Sequence, residues 1–259
     1  MFKEEVVVVL PNFLIIGAAR SGTTTLYSCM QEHPDIFMPG NKRPEPHFFL
    51  KEEEYKKGLD YYSEKYFSLW NGEKARGEAS TSYLYQSHVA RRIHKHLPGA
   101  RLIAILRNPV DRAYSNYWIT VQNGLDDVSF EEAVGREGER INAPKSEFWR
   151  TVQPHAYLDR GYYFKQLKYY LEYFKREQLL ILLFDDLRQS PDRVVREVFR
   201  FLEVDEGYVP RTLGIVNNKT ATPYPPMDPN TRNRLIALFA NENRRLSHMI
   251  GRDLSCWDE

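Results

Sequence analysis

Three short apolar runs, each leading into a helical pattern, set the rhythm of the chain. Residues 13–17, FLIIG, form a β-prone apolar run closed by glycine, the pattern of a strand buried in a parallel sheet. After Gly22, TTTLYSCMQEHP reads as a helix that stops near Pro34. A second unit repeats the order. Residues 100–106, ARLIAIL, read as a buried strand, and 107–124 as a helix with Pro109 near its first turn and Gly124 past its end. A third unit pairs QLLILLFDDL (178–187) with SPDRVVREVFRFL (190–202), where Ser190 caps the helix and Pro191 opens it. Strands alternating with helices predict an α/β fold, a three-layer sandwich whose central, mostly parallel sheet carries helices on both faces.

Two stretches break the rhythm. Residues 39–50, PGNKRPEPHFFL, are proline-rich and read as loop. Residues 135–156 carry no clear period, and an irregular segment of that length reads as a lid over a site. The acidic KEEEYKK run (51–57) reads as an exposed helix, and YYFKQLKYYLEYF (162–174) as an amphipathic core helix. His33 reads as a helix-end residue, and His88, His94 and His96 as a solvated helical face. No repeat or boundary interrupts the chain, so residues 1–259 read as a single domain.

Composition narrows the function classes. Hydrophobic residues make 42% and charged residues 27%, an ordinary globular balance. The net charge of +1 argues against a broad nucleic-acid surface. Cys29 and Cys256 have neither metal-ligand spacing nor the numbers for a disulfide framework, which fits a reducing compartment. The EEVVVVL run (4–10) lacks the features of a signal peptide, and no run approaches the length of a membrane helix. These features lead to the expectation of a cytoplasmic protein with no bound metal and no membrane or nucleic-acid partner.

The chemistry begins at GAARSGTTTL, residues 17–26. Gly17, Gly22 and Thr24 have nearly the spacing of a nucleotide-binding P-loop, but Thr23 stands in the lysine position and Arg20 lies inside the loop. A glycine loop between strand and helix offers backbone N–H groups and a helix N-terminus to an anion. Without the lysine there is less reason to hold a triphosphate with Mg²⁺. A second anion site is expected where Arg107 ends the next strand and Ser115 lies about two turns into the following helix, with Arg112 between them.

Together these motifs resemble the sulfotransferases that use PAPS, 3′-phosphoadenosine 5′-phosphosulfate. RSGTT (20–24) looks like the family's 5′-phosphosulfate loop, and LRNPVDRAYSNY (106–117) like its 3′-phosphate motif. EPHFF (45–49), GEASTSYLY (77–85), 160–187 and 243–257 look like segments of the heparan-sulfate-type and related bacterial branch. The resemblance covers nearly the whole chain and implies a P-loop-like fold. It places Arg20, Ser21, Gly22, Thr23 and Thr24 on the 5′-phosphosulfate, Arg107 and Ser115 on the 3′-phosphate, and Lys219 in a donor-closing segment. It makes Glu45 the base and Arg20 the group that steadies PAP as it leaves, with His47 as the second candidate base. Where some heparan enzymes carry a lysine, this chain has Ala79. That departure and the near-neutral charge point to a small-molecule or natural-product alcohol, such as an alkaloid alcohol, rather than a charged polymer.

The expected reaction is in-line transfer of sulfonate from PAPS to a hydroxyl, releasing PAP, while a carboxylate or imidazole takes the acceptor proton. If residues 45–47 are extended, Glu45 and His47 point to one side. Three alternatives stay open. A divergent P-loop kinase or NTPase would use Mg-ATP, with Asp185 and Asp186 as metal-binding acids. A module that only binds PAP would turn nothing over. A carbohydrate polymer is the alternative acceptor.

Overall fold

A computed structural model describes residues 8–40, 45–143, 153–214 and 224–259. Its sheet has five strands: β1 Phe13–Gly17, β2 Ile36–Phe37, β3 Ala75–Ala79, β4 Arg101–Leu106 and β5 Leu179–Leu183, in the order β2-β3-β1-β4-β5. Every pairing is parallel. The order turns around at β1, the first strand, which lies between β3 and β4. A ligand crevice of an open α/β sheet lies at such a reversal, beyond the carboxyl ends of the strands.

Strand alternation divides the interior in two. Leu14, Ile16, Leu102, Ala104 and Leu106 face one side, and Phe13, Ile15, Ile103 and Ile105 the other. All nine are fully buried, each contributing roughly 1.5–3 kcal/mol where the side chain is Leu, Ile or Phe. The first side is covered by α3 Gly58–Phe67, α4 Ser87–His96, α8 Tyr163–Leu171 and α11 Pro229–Ile250. The second is covered by α1 Thr23–Gln31, α9 Phe184–Gln189 and α10 Pro191–Phe201. In α10 the buried Val194, Val195, Val198 and Phe199 form one stripe, while Arg193, Arg196 and Arg200 are exposed. This is the expected three-layer arrangement. A further apolar cluster joins α5 Pro109–Gln122, α6 Phe130–Gly135 and α11 through Val110, Tyr117, Phe130, Leu235 and Phe239.

Several local expectations change. The run from Gln178 to Leu187 is a strand only to Leu183; Phe184–Gln189 is already helix. Ser190 occupies the position before α10, but its hydroxyl makes no capping bond. The exposed acidic run does contain a helix, α2 Glu52–Tyr55. The 135–156 stretch is partly helical, with α7 at Glu137–Asn142, while 144–152 fall outside the described residues. His33 is buried, with its ring nitrogens engaged by the Asp205 carbonyl and the Asp35 amide. His96 is half-buried and bonded to Tyr55 at 2.8 Å, so that helical face is not simply solvated.

Candidate functional site

Three neighbouring strand ends build the site. Leaving β1, the chain runs through Ala18–Gly22 into α1. Gly22 holds the turn at φ +89, and a Cβ there would meet Phe184 and Leu187 at 3.0 Å, so a side chain is refused twice. Arg20 takes a left-handed backbone, φ 72, unusual for a non-glycine residue. Ser21 is fully buried beside Tyr163, Thr23 is buried and Thr24 is exposed.

Leaving β4, Arg107 leads into α5. Asn108 caps that helix, its side chain accepting the Val110 N–H at 2.9 Å, and Pro109 opens it. The cap fixes where α5 starts and so where Ser115 lies. Arg20 Nε donates to Ser115 Oγ at 3.1 Å, and Arg107 Nη1 donates to the Arg20 carbonyl at 3.2 Å. Tyr163 OH donates to the Arg107 carbonyl at 3.0 Å. The two anion motifs expected from sequence are thus one linked constellation. Arg112 is not part of it: fully buried, it donates to the Tyr157 carbonyl.

A cavity of about 150 Å³ opens beside Arg107, lined also by Asp111, Tyr114, Tyr224–Met227 and Arg232. Arg232 pairs with Asp111 at 2.7 Å, and Tyr114 OH reaches the Pro225 carbonyl at 3.0 Å. The Arg107 guanidinium lies 4.9 Å from the centre of the Phe184 ring. Lys219 falls outside the described residues.

Leaving β3, the turn at Ser80–Leu84 packs against the β1 loop. A Cβ on Gly17 would lie 2.8 Å from Leu84 Cβ and 3.1 Å from the Thr81 carbonyl oxygen. Against this turn lie Glu45 and His47, which belong to the segment before α2. Thr81 donates its amide to Glu45 Oε2 at 2.9 Å and its hydroxyl to Oε1 at 3.0 Å. His47 Nε2 lies 3.4 Å from Glu45 Oε2. The segment is not uniformly extended, since His47 has φ +50. Its two side chains meet because the turn after β3 gathers them, not because they alternate along a strand.

Electrostatics separate the two candidate bases. Burial is the main reason that His47 is pushed down to about 3, with Lys51 and Arg160 adding to it. His47 is therefore neutral at ordinary pH and a weak proton acceptor. Its Nε2 faces Glu45, while its buried Nδ1 has no hydrogen-bond partner among the described residues.

Sequence reading missed Arg160. It is buried, donates to Ser82 Oγ at 3.3 Å, lies 4.7 Å from the Tyr85 ring centre and faces both Glu45 and His47 electrostatically. Burial, then Arg112, lowers it to about 10. Nothing local in DRGYY separates such a cation from a surface arginine. The acids offered for a metal are otherwise engaged: Asp185 accepts the Trp257 indole N–H at 3.1 Å, and Asp186 pairs with Arg193 and Arg252 at 3.0 and 2.8 Å.

Fold and loop together define a P-loop-like protein in which Arg20 and the Thr23 and Thr24 hydroxyls stand at the start of α1, where a P-loop carries its lysine. The sulfotransferase domain family matches residues 10–213, and the chain belongs to that family. It is a sulfotransferase, and the family's sulfonate donor is PAPS. The human bifunctional heparan sulfate N-deacetylase/N-sulfotransferase 3 is 31% identical over 98% of this chain; the chain spans 32% of that enzyme's length. A sulfotransferase from Alicyclobacillus acidocaldarius is 34% identical, with a TM-score of 0.81 covering 97% of this chain and 100% of that one. The sulfotransferase domain of the curacin biosynthetic pathway shares the fold at 15% identity, with a TM-score of 0.53 over 95% of this chain and 99% of its own.

Proposed function

We propose that this sulfotransferase moves the PAPS sulfonate to a hydroxyl of a small-molecule or natural-product acceptor, with Glu45 as the base. The observation that carries the reading is the Glu45 carboxylate. It is held on both oxygens by Thr81, beside a neutral His47 and against the turn that packs on the donor loop. Arg20, Gly22, Thr23 and Thr24 would hold the 5′-phosphosulfate at the start of α1, and Arg107 and Ser115 the 3′-phosphate at α5. As the acceptor oxygen attacks sulfur, its proton passes to Glu45 and the bond to the PAP phosphate oxygen breaks. Arg20 meets the charge that develops on that oxygen. His47 orients the carboxylate rather than taking the proton.

Buried Ala79 at the end of β3 and the net charge of +1 favour a small acceptor over a polyanion. A second reading is favoured by the human relative: the amine of a carbohydrate polymer. The proposal includes a single domain and a cytoplasmic location, in keeping with a sequence that has two cysteines, too few for a disulfide framework. It also gives residues 135–156 a role in covering the acceptor.

The test has two stages. Calorimetry with PAP, and separately with ATP and Mg²⁺, should give metal-independent PAP binding alone; ATP binding with PAP silent would overturn the reading. PAPS with a panel of small alcohols, amino sugars and N-deacetylated heparosan, read by the mass gained on sulfonation, then decides between the acceptor classes.

A further inference from the structure

Behind the base lies a second carboxyl that no step so far uses. Glu78, on β3, is almost wholly buried, and no arginine, lysine or histidine pairs with it among the described residues. Hydroxyls satisfy it instead. Tyr62 and Tyr83 donate to Oε1 at 3.2 and 2.8 Å, and Ser80 donates to Oε2 at 2.9 Å. The same Ser80 oxygen accepts the backbone N–H of His47 at 2.8 Å. That bond holds His47, whose backbone is left-handed. A buried carboxyl with no cation is expensive to keep, and a chain that needed only packing there would do better with an apolar side chain.

We propose that Glu78 is a positioning residue for the base loop: its carboxylate fixes the Ser80 hydroxyl, which holds the His47 amide and so the loop that carries Glu45. The titratable groups that face Glu78 are Tyr27 from α1, Tyr62 from α3, Tyr83 from the turn after β3, Tyr170 from α8 and Glu45 from the base loop. Burial first, and the Glu45 charge after it, push Glu78 up to about 7, while the four tyrosines lie above their ordinary range and His47 far below its own. Loss of the Glu78 proton turns the carboxyl into a pure acceptor. The Ser80 proton is then committed to it, and the lone pair of Ser80 to His47.

The inference takes its catalytic meaning from Glu45 as base, but it is tested without turnover. The probe is the His47 amide in the ¹⁵N-labelled full chain, followed from about pH 5 to about pH 9. The expected result is a His47 amide shift that titrates near neutrality in the wild type. It should be lost in both Glu78→Gln and Ser80→Ala, and retained with a lower midpoint in Glu45→Gln. A flat amide in the wild type would overturn the proposal, as would a titration that survives in either Glu78→Gln or Ser80→Ala. PAP titration of each variant separates this from the functional reading. If the wild type binds no PAP, the donor assignment fails while the amide result stands; if a variant loses PAP binding, the other carries the test.

Discussion

Arg20 Nε donates to Ser115 Oγ at 3.1 Å, although 95 residues separate the two in sequence. The contact joins the loop after β1 to the helix after β4, so the groups assigned to the two ends of PAPS form one unit. The Arg107 bond to the Arg20 carbonyl closes that unit. On the proposed reading, the two anions of PAPS would meet one linked set of donors.

Removing Arg107 should therefore cost affinity selectively. For Arg107→Ala we expect PAP to bind about 10- to 100-fold more weakly, the worth of about 1.5–3 kcal/mol for a charge-assisted bond. Adenosine 5′-phosphosulfate, which lacks the 3′-phosphate, should lose much less. Calorimetry with both ligands checks this, and equal losses would count against the assignment.

Glu45→Gln keeps the shape of the side chain and removes its basicity. Turnover with an accepted alcohol should fall by about 10²- to 10⁴-fold while PAP affinity holds. Thr81→Val should also lower kcat, by less, because the carboxylate remains but loses its hydroxyl donor. Single-turnover rates and PAP titrations of the two variants decide it. A Glu45→Gln enzyme with wild-type turnover would move the role of base elsewhere.

Two buried groups give opposed pH effects on stability. Between its ordinary 4.5 and about 7, Glu78 keeps its proton in the folded chain while the unfolded chain releases it. The folded state binds more protons, so stability falls as pH rises through that window, by on the order of 3 kcal/mol in all. Between 6.5 and about 3, the unfolded chain protonates His47 and the folded chain does not, so stability falls as pH drops. In Glu78→Gln the first slope should vanish, leaving a chain whose stability relative to the wild type improves towards pH 7. Urea unfolding at a series of pH values measures both slopes, and identical pH profiles for wild type and Glu78→Gln would refute the Glu78 effect.

Gly22→Ala should destabilise the fold by roughly 1–3 kcal/mol, since alanine is strained at φ +89 and its Cβ meets Phe184 and Leu187. It should also weaken PAP, because the turn that starts α1 must shift. Thermal unfolding with and without PAP reads both, and an unchanged melting temperature would show that the turn tolerates a side chain.

The layered α/β plan was legible in the sequence alone. Strands such as FLIIG and RLIAIL are apolar on both faces because both faces are covered, and the glycine loop is legible because it joins such a strand to a helix. Departures from this plan have local causes. ARGEA was not legible as a strand: Arg76 and Glu78 are polar, and only its place between β2 and β1 makes it one. Glu45 and His47 were visible as candidates, but their unlike surroundings were not. Only the tertiary structure buries His47 until it is neutral and hands Glu45 two bonds from Thr81, 36 residues away. Arg160 and Glu78 were beyond reach for the same reason. Local sequence carries propensity and spacing, whereas desolvation and charge pairing depend on which distant strand ends the parallel sheet brings together.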